Sequence, residues 1–143
     1  MTTKVNDEIM ELMRDFSKTM KGRMHFNLKS SHLTMVQFDA LLFIKKNNGA
    51  QMSDISDYFG TTLPTTTSLI SKLSDFGLVI REDDKEDRRV VKISLTKKGE
   101  TLLKEAMEHR HAEINKMLSY LSEEDKKDLL RIFKKLVTQI NEK

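Results

Sequence analysis

Around Phe76-Gly77-Leu78-Val79 the chain changes its hydrophobic period, and that switch limits the folds open to it more than any other feature. Before it, Thr66, Leu69, Ile70 and Leu73 recur at i, i+3, i+4 and i+7, the spacing of one buried helix face. After it, Leu78-Val79-Ile80-Arg81 reads as a strand, and Val91, Ile93 and Leu95 then alternate with Lys92 and Ser94 as a second strand with one face buried. Gly77 is the helix stop between the two regimes, and the polar stretch Glu82 to Arg89 is the turn of the hairpin. Upstream, Met52 to Phe59 fits a short helix with Ile55 and Phe59 inward, ended by Gly60. Two short helices joined by a tight turn and followed by a hairpin arm make a winged helix-turn-helix.

The rest of the chain is helical in pattern. Val5, Ile9, Leu12, Met13, Phe16, Met20 and Met24 stand three or four apart, a stripe with a soft, Met-rich surface. Thr34 precedes Gln37 by three, a capping-box spacing that opens a helix over Met35 to Lys46. That helix is apolar on most of its circumference and belongs near the middle of the fold; Asn47-Asn48-Gly49 stops it. Thr96 caps a long helix to about Leu121, with Leu103, Met107, Ile114, Met117 and Leu121 on its apolar side. Ser122-Glu123-Glu124-Asp125 starts a last helix with Leu129, Phe133, Leu136 and Ile140 on one stripe. The expectation is a mainly α single domain over 1–143: six helices and a small β-hairpin wing, with 34–99 as the reading head. Segments 1–33 and 100–143 are then dimerisation helices, since terminal apolar stripes commonly meet across a two-fold axis.

Composition closes off several function classes. Glycine is scarce, proline occurs once, and cysteine is absent, which excludes disulfides, zinc ribbons and thiol switches. A net charge of +3 permits nucleic-acid binding without arguing strongly for it. The longest apolar run, Ala40 to Ile44, is too short to cross a membrane, and no charged-then-apolar leader opens the chain; a cytoplasmic protein is expected. No glycine-rich phosphate loop, nucleophile elbow or Cys-His pair is present, so no enzyme and no cofactor are expected. His25, His32, His109 and His111 lack the i, i+4 spacing of a helical metal pair, and a zinc site with Glu113 and His32 is the weaker reading, so no metal is expected.

The reading helix opens Gly60-Thr61-Thr62-Leu63-Pro64-Thr65-Thr66-Thr67-Ser68. Thr62 can cap it, and Pro64 falls in the first turn, where a missing N–H costs nothing. Its outer face is Pro64, Thr65, Thr67, Ser68, Ser71, Lys72 and Asp75. A polar helix face is most often only solvated. An ordinary surface helix, however, prefers Glu, Lys and Gln, whereas this one carries poor helix formers at its start. Small hydroxyl side chains let a backbone approach DNA, and Thr methyls can touch thymine methyls. In the wing, Asp87 bracing an arginine and aiming it into a minor groove offsets the acids that would otherwise repel DNA.

These segments resemble a known signature. Gly77-Leu78-Val79-x-Arg81, then Asp87-Arg88-Arg89, then Val91-x-Ile93-x-Leu95-Thr96-x-x-Gly99 is similar to the G-L-V-x-R, D-x-R and L-T-x-x-G motifs of the MarR family of bacterial transcriptional regulators. The resemblance implies that Asp87 and Arg89 are the wing pair that reaches a minor groove, with Arg88 on a phosphate. It implies a homodimeric repressor that binds a pseudo-palindromic double-stranded operator through Thr62, Pro64, Thr65, Thr67, Ser68, Ser71 and Lys72. Release by a small apolar or phenolic effector is implied too, with Phe16, Met20, Met35 and Phe38 as the candidate pocket. Sensing of peroxide through a first-helix cysteine is not implied, because the chain has none. Two other readings stand beside it: a winged-helix module that binds another protein without DNA, and a carrier of apolar small molecules.

Overall fold

The buried side chains collect where the stripes of three short helices meet the inward face of a hairpin. The computed structural model describes residues 3–23, 26–28 and 31–142, and the chain divides into two compact units, Met1–His109 and Arg110–Lys143. Met24 and His25 lie outside the described residues, as does the side chain of His32.

In the first unit, α1 (Lys4–Arg23) forms as its periodicity requires but buries none of its side chains. A small antiparallel hairpin of β1 (Phe26–Leu28) and β2 (Ser31–Leu33) follows, with Phe26 opposite Leu33. The sequence pattern does not show it, because three-residue strands are too short for an alternation to register. Next, α2 (Met35–Lys46) opens on the expected capping box: Gln37 N donates to Thr34 Oγ1 at 3.2 Å and Thr34 N to Gln37 Oε1 at 3.0 Å. It ends where Asn48 and Gly49 adopt positive φ. Phe38, Leu41 and Ile44 are buried, but Val36 is 51% exposed on the opposite side. The helix, apolar on most of its circumference, therefore still presents one apolar residue outward.

Helices α3 (Met52–Phe59) and α4 (Leu63–Asp75) make the helix-turn-helix. Gly60 takes the left-handed φ of 59° that ends α3, and Ser56 Oγ donates to Thr61 O at 2.6 Å across the turn. As expected, α4 buries Thr66, Ile70 and Leu73. The Thr66 hydroxyl is buried yet satisfied, donating to Thr62 O at 3.1 Å.

Phe76 caps α4, and Gly77 at φ 72° turns the chain into the wing. There β3 (Val79–Asp83) pairs antiparallel with β4 (Val91–Leu95), Val79 opposite Leu95 and Asp83 opposite Val91. The alternation expected for the second strand holds only near the base. Ile93 is buried and Leu95 partly so, whereas Val91 is 46% exposed. Val91 stands at the outer end of the hairpin, beyond the core that receives Ile93. Ala50 adds a bridge that patterning did not reveal, exchanging bonds of 3.0 and 2.7 Å with Ile93 and tying β4 to the α2–α3 connection.

Helix α5 (Lys97–Leu118) starts in this unit with Leu102, Leu103 and Ala106 buried. In the second unit α5 stops at Leu118 rather than continuing to Leu121. Ser119 to Leu121 form the turn, because Ser122 must be extended to make its capping box with Asp125 at the start of α6 (Glu123–Asn141). Helix α6 buries no side chain; Phe133, Leu136 and Ile140 lie exposed along it. The described residues thus form six helices and two two-stranded hairpins, the second of them the wing, a mainly α winged helix-turn-helix. None of these helices is long and apolar enough to cross a membrane.

Candidate nucleic-acid interface

The reading helix is built to leave one face bare. Because Thr66, Ile70 and Leu73 point to the core, Pro64, Thr65, Thr67, Ser68, Ser71 and Lys72 all emerge exposed on the other side. Thr62 has a structural duty: its Oγ1 accepts from Thr65 N at 3.4 Å and lies 3.0 Å from Thr65 Oγ1. The outer face of the first three turns carries hydroxyls, a pyrrolidine ring and one lysine. It has no carboxylate before Asp75. A surface of that kind is small, uncharged at its start, and free to accept a polyanion at the positive end of the helix dipole.

The wing turn is ordered by its own acids. Asp87 Oδ1 accepts from the Arg89 backbone N–H at 3.0 Å, and its carboxylate receives Nε and a terminal guanidinium nitrogen of Arg89 at 3.2 and 3.3 Å. The Arg89 hydrogen bonds hold the Asp87 carboxyl below the usual carboxylate range, first through the guanidinium and then through the backbone N–H. The Arg89 side chain is 91% exposed even so, which makes it a braced arm directed into solvent. Asp84 is occupied as well, accepting from Glu86 N at 2.9 Å and facing Lys92 Nζ at 3.7 Å. Arg88 is exposed beside Arg89. Two of the five acids in the turn are therefore engaged locally, which lessens the repulsion a phosphate backbone would meet.

The motif Thr96-x-x-Gly99 fixes where this arm departs. Thr96 Oγ1 donates to Gly77 O at 2.6 Å and accepts from Gly99 N at 3.0 Å, while Lys98 Nζ donates to Phe76 O at 2.8 Å. A Cβ on Gly99 would overlap the Leu78 carbonyl, so only glycine fits. The end of α4, the base of the wing and the start of α5 are one hydrogen-bonded joint.

Two residues outside the polar helix start, Thr34 and Val36, join it on one surface without a signal in the sequence. Thr34, Val36 and Thr61 share an open trough of about 730 Å³ with Pro64, Ser68 and Lys72 of the reading helix. The capping box locates Thr34 but gives no hint of this company, and Val36 is one apolar residue among many along α2. The candidate effector pocket fares differently. Phe38 has no exposed surface and is core, because it sits on the inner stripe of α2 with Leu41; it cannot line a pocket. Met35 is partly buried against the same core, Met20 is partly buried on α1, and Phe16 is 54% exposed. Among the described residues, no group of three or more His, Cys, Asp or Glu side chains could hold a metal ion.

Comparison with known proteins agrees with this architecture. The MarR family model matches residues 32–90. A curated relative, the transcriptional repressor MprA of Escherichia coli, is 27% identical over 117 residues, covering 80% of this chain and 66% of that protein. The chain spans about three-fifths to two-thirds of the length of the first curated relatives it matches. Among solved structures, a MepR-like protein complexed with pseudoligands is 34% identical with a TM-score of 0.63, over 96% of this chain and 97% of that one. A MarR family protein from Bacillus stearothermophilus is 27% identical with a TM-score of 0.84, over 99% of both chains. With the wing joint, the reading helix and these likenesses in agreement, the chain belongs to the MarR family.

Proposed function

We propose that the protein is a sequence-specific, double-stranded DNA-binding transcriptional regulator that acts in the cytoplasm as a homodimeric repressor. One observation carries the reading: an exposed Ser/Thr face on α4 stands in the same unit as a wing whose Arg89 is held outward by Asp87. Each protomer sets α4 into a major groove, with Pro64, Thr65, Thr67, Ser68 and Ser71 at base edges and Lys72 on a phosphate. Arg89 enters the adjoining minor groove, and Arg88 meets the backbone. The operator is pseudo-palindromic, with half-sites about one helical turn apart.

Residues 34–99 form the reading head, and segments 1–33 and 100–143 supply the dimer contacts. The exposed apolar stripes of α1 and α6 support that division. Repression is supported by the likeness to MprA, a transcriptional repressor. A small lipophilic or phenolic effector that prefers another spacing of the two heads would shift the population away from DNA; with Phe38 removed from the set, Phe16, Met20 and Met35 are its remaining candidates.

The deciding experiment is a titration on duplexes selected from random DNA, run over a salt series. Wild type shows a steep counterion-release slope, and Arg89→Ala weakens binding to all duplexes while flattening the slope by about 1. Unchanged affinity and slope in Arg89→Ala would remove the wing from the interface. A wild-type protein that binds no selected duplex would favour a protein-binding module instead.

A further inference from the structure

We infer that the trough between α2 and α4 is a seat for one DNA sugar–phosphate strand, so that the first turn of α2 forms part of the interface. The inference rests on the DNA-binding reading above and adds a second wall to it. Three observations carry it.

The first is continuity. Pro64, Thr65, Ser68 and Lys72 belong both to the exposed face of α4 and to the trough, so a duplex lying against that face borders the trough along its length. A helix inserted in a major groove is flanked by backbone strands, and the flank of α4 turned toward α2 is this one. The second is chemistry. The rim carries the Lys72 ammonium and the hydroxyls of Thr34, Thr61 and Ser68, while the floor holds the half-buried apolar side chains of Phe59 and Leu69. A sugar–phosphate strand presents matching parts, an anionic oxygen for the rim and an apolar deoxyribose for the floor. The lining contains no carboxylate.

The third is Val36. It is 51% exposed on a helix whose other large apolar residues pack inward, and it stands two residues after the N-cap Thr34. Thr34 Oγ1 already accepts from Gln37 N, which leaves its hydroxyl hydrogen to donate outward toward a phosphate. The α2 N-terminus adds its positive dipole end at the same spot. Val36 therefore packs against a deoxyribose while Thr34 and Lys72 hold neighbouring phosphates.

The test uses the full-length protein and a duplex recovered by selection from random DNA. Val36→Glu and Val36→Lys both leave the fold intact, checked by unchanged melting, because position 36 is half exposed. Glutamate is expected to weaken binding several-fold and to flatten the salt slope by about 1; lysine is expected to tighten binding and steepen the slope by about 1. A second measurement localises the contact. Methylphosphonate substitution, moved along each strand, should find a phosphate whose neutralisation weakens wild type but adds nothing in Val36→Glu. If Arg89→Ala weakens binding while neither position-36 variant moves affinity or slope, or no phosphate couples to position 36, the trough is empty in the complex and the inference fails alone. If Arg89→Ala and the position-36 variants all bind as wild type does, the wing and the trough both lie outside the interface and the inference fails; if selection recovers no duplex for wild type, the DNA reading fails with it.

Discussion

Asp87 shows how one acid can steady a basic arm without hiding it. Its carboxylate is closed into a ring with the backbone and guanidinium of Arg89, and the arginine nonetheless keeps its side chain in solvent. The Asp87 carboxyl titrates below its ordinary value, so whatever the ring adds to the folded state is present above the unfolded pKa of about 3.9 and is lost only as pH falls through the lower folded value. Arg89 is therefore expected to remain braced from neutral pH down to the ordinary carboxylate range. A carboxyl ¹³C titration followed by NMR should place the Asp87 midpoint below about 3.9. In Arg89→Ala the midpoint should rise only part of the way, because the backbone N–H at position 89 stays. A midpoint in wild type at or above the ordinary value would break the ring. The pairing was legible in Asp87-Arg88-Arg89 because two residues' separation in a turn brings a short acid onto an arginine. The occupation of Asp84 by Glu86 N and Lys92 was not legible, since it depends on where the opposite strand lies.

At the level of elements, α2, α3, α4 and α6 begin where their capping residues stand: Thr34, Thr62 and Ser122 each accept the N–H three residues on, while Gln51 stands ahead of α3. Local chemistry sets those boundaries, and local chemistry is what a sequence displays. The same is true of the inward residues of α4. Sequence pattern and structure part where a neighbouring part of the fold decides the outcome. Val91 follows the alternation of a buried strand face yet lies past the core; the Ala50–Ile93 bridge joins segments more than forty residues apart, and β1 and β2 are too brief to leave a pattern. Val36 belongs with these, an apolar residue whose outward exposure depends on which face of α2 the rest of the core covers. Gly99 tests the one junction where sequence motif and packing coincide. Adding a single methyl there in Gly99→Ala should cost about 1–3 kcal/mol, as overpacking does, because the obstacle is the Leu78 backbone rather than a flexible side chain. The measurement is a lowered denaturant midpoint with unchanged slope. A midpoint equal to wild type would mean that the joint is looser than its hydrogen bonds suggest.

On the scale of the whole molecule, both terminal helices present apolar residues to solvent in a single chain: Leu12 and Phe16 on α1, Leu136 and Ile140 on α6. Periodicity alone reveals those stripes; it cannot name what covers them. A second copy is the proposed cover, so the protein should sediment at twice its 16.6 kDa chain mass. Leu136→Glu, on a side chain that packs on nothing in the core, should return it to the single-chain mass with helix content preserved. Equal sedimentation of the two would place the self-association surface elsewhere. One consequence follows from the stitching of Thr96, Lys98 and Gly99 onto Phe76, Gly77 and Leu78. The opening turn of α5, the tail of α4 and the root of the hairpin are joined directly, so the three would turn together as a crank. A torque reaching Lys97 would pass through this joint to the exposed face of α4, so on the proposed reading a ligand would not have to approach that face to loosen its hold on DNA.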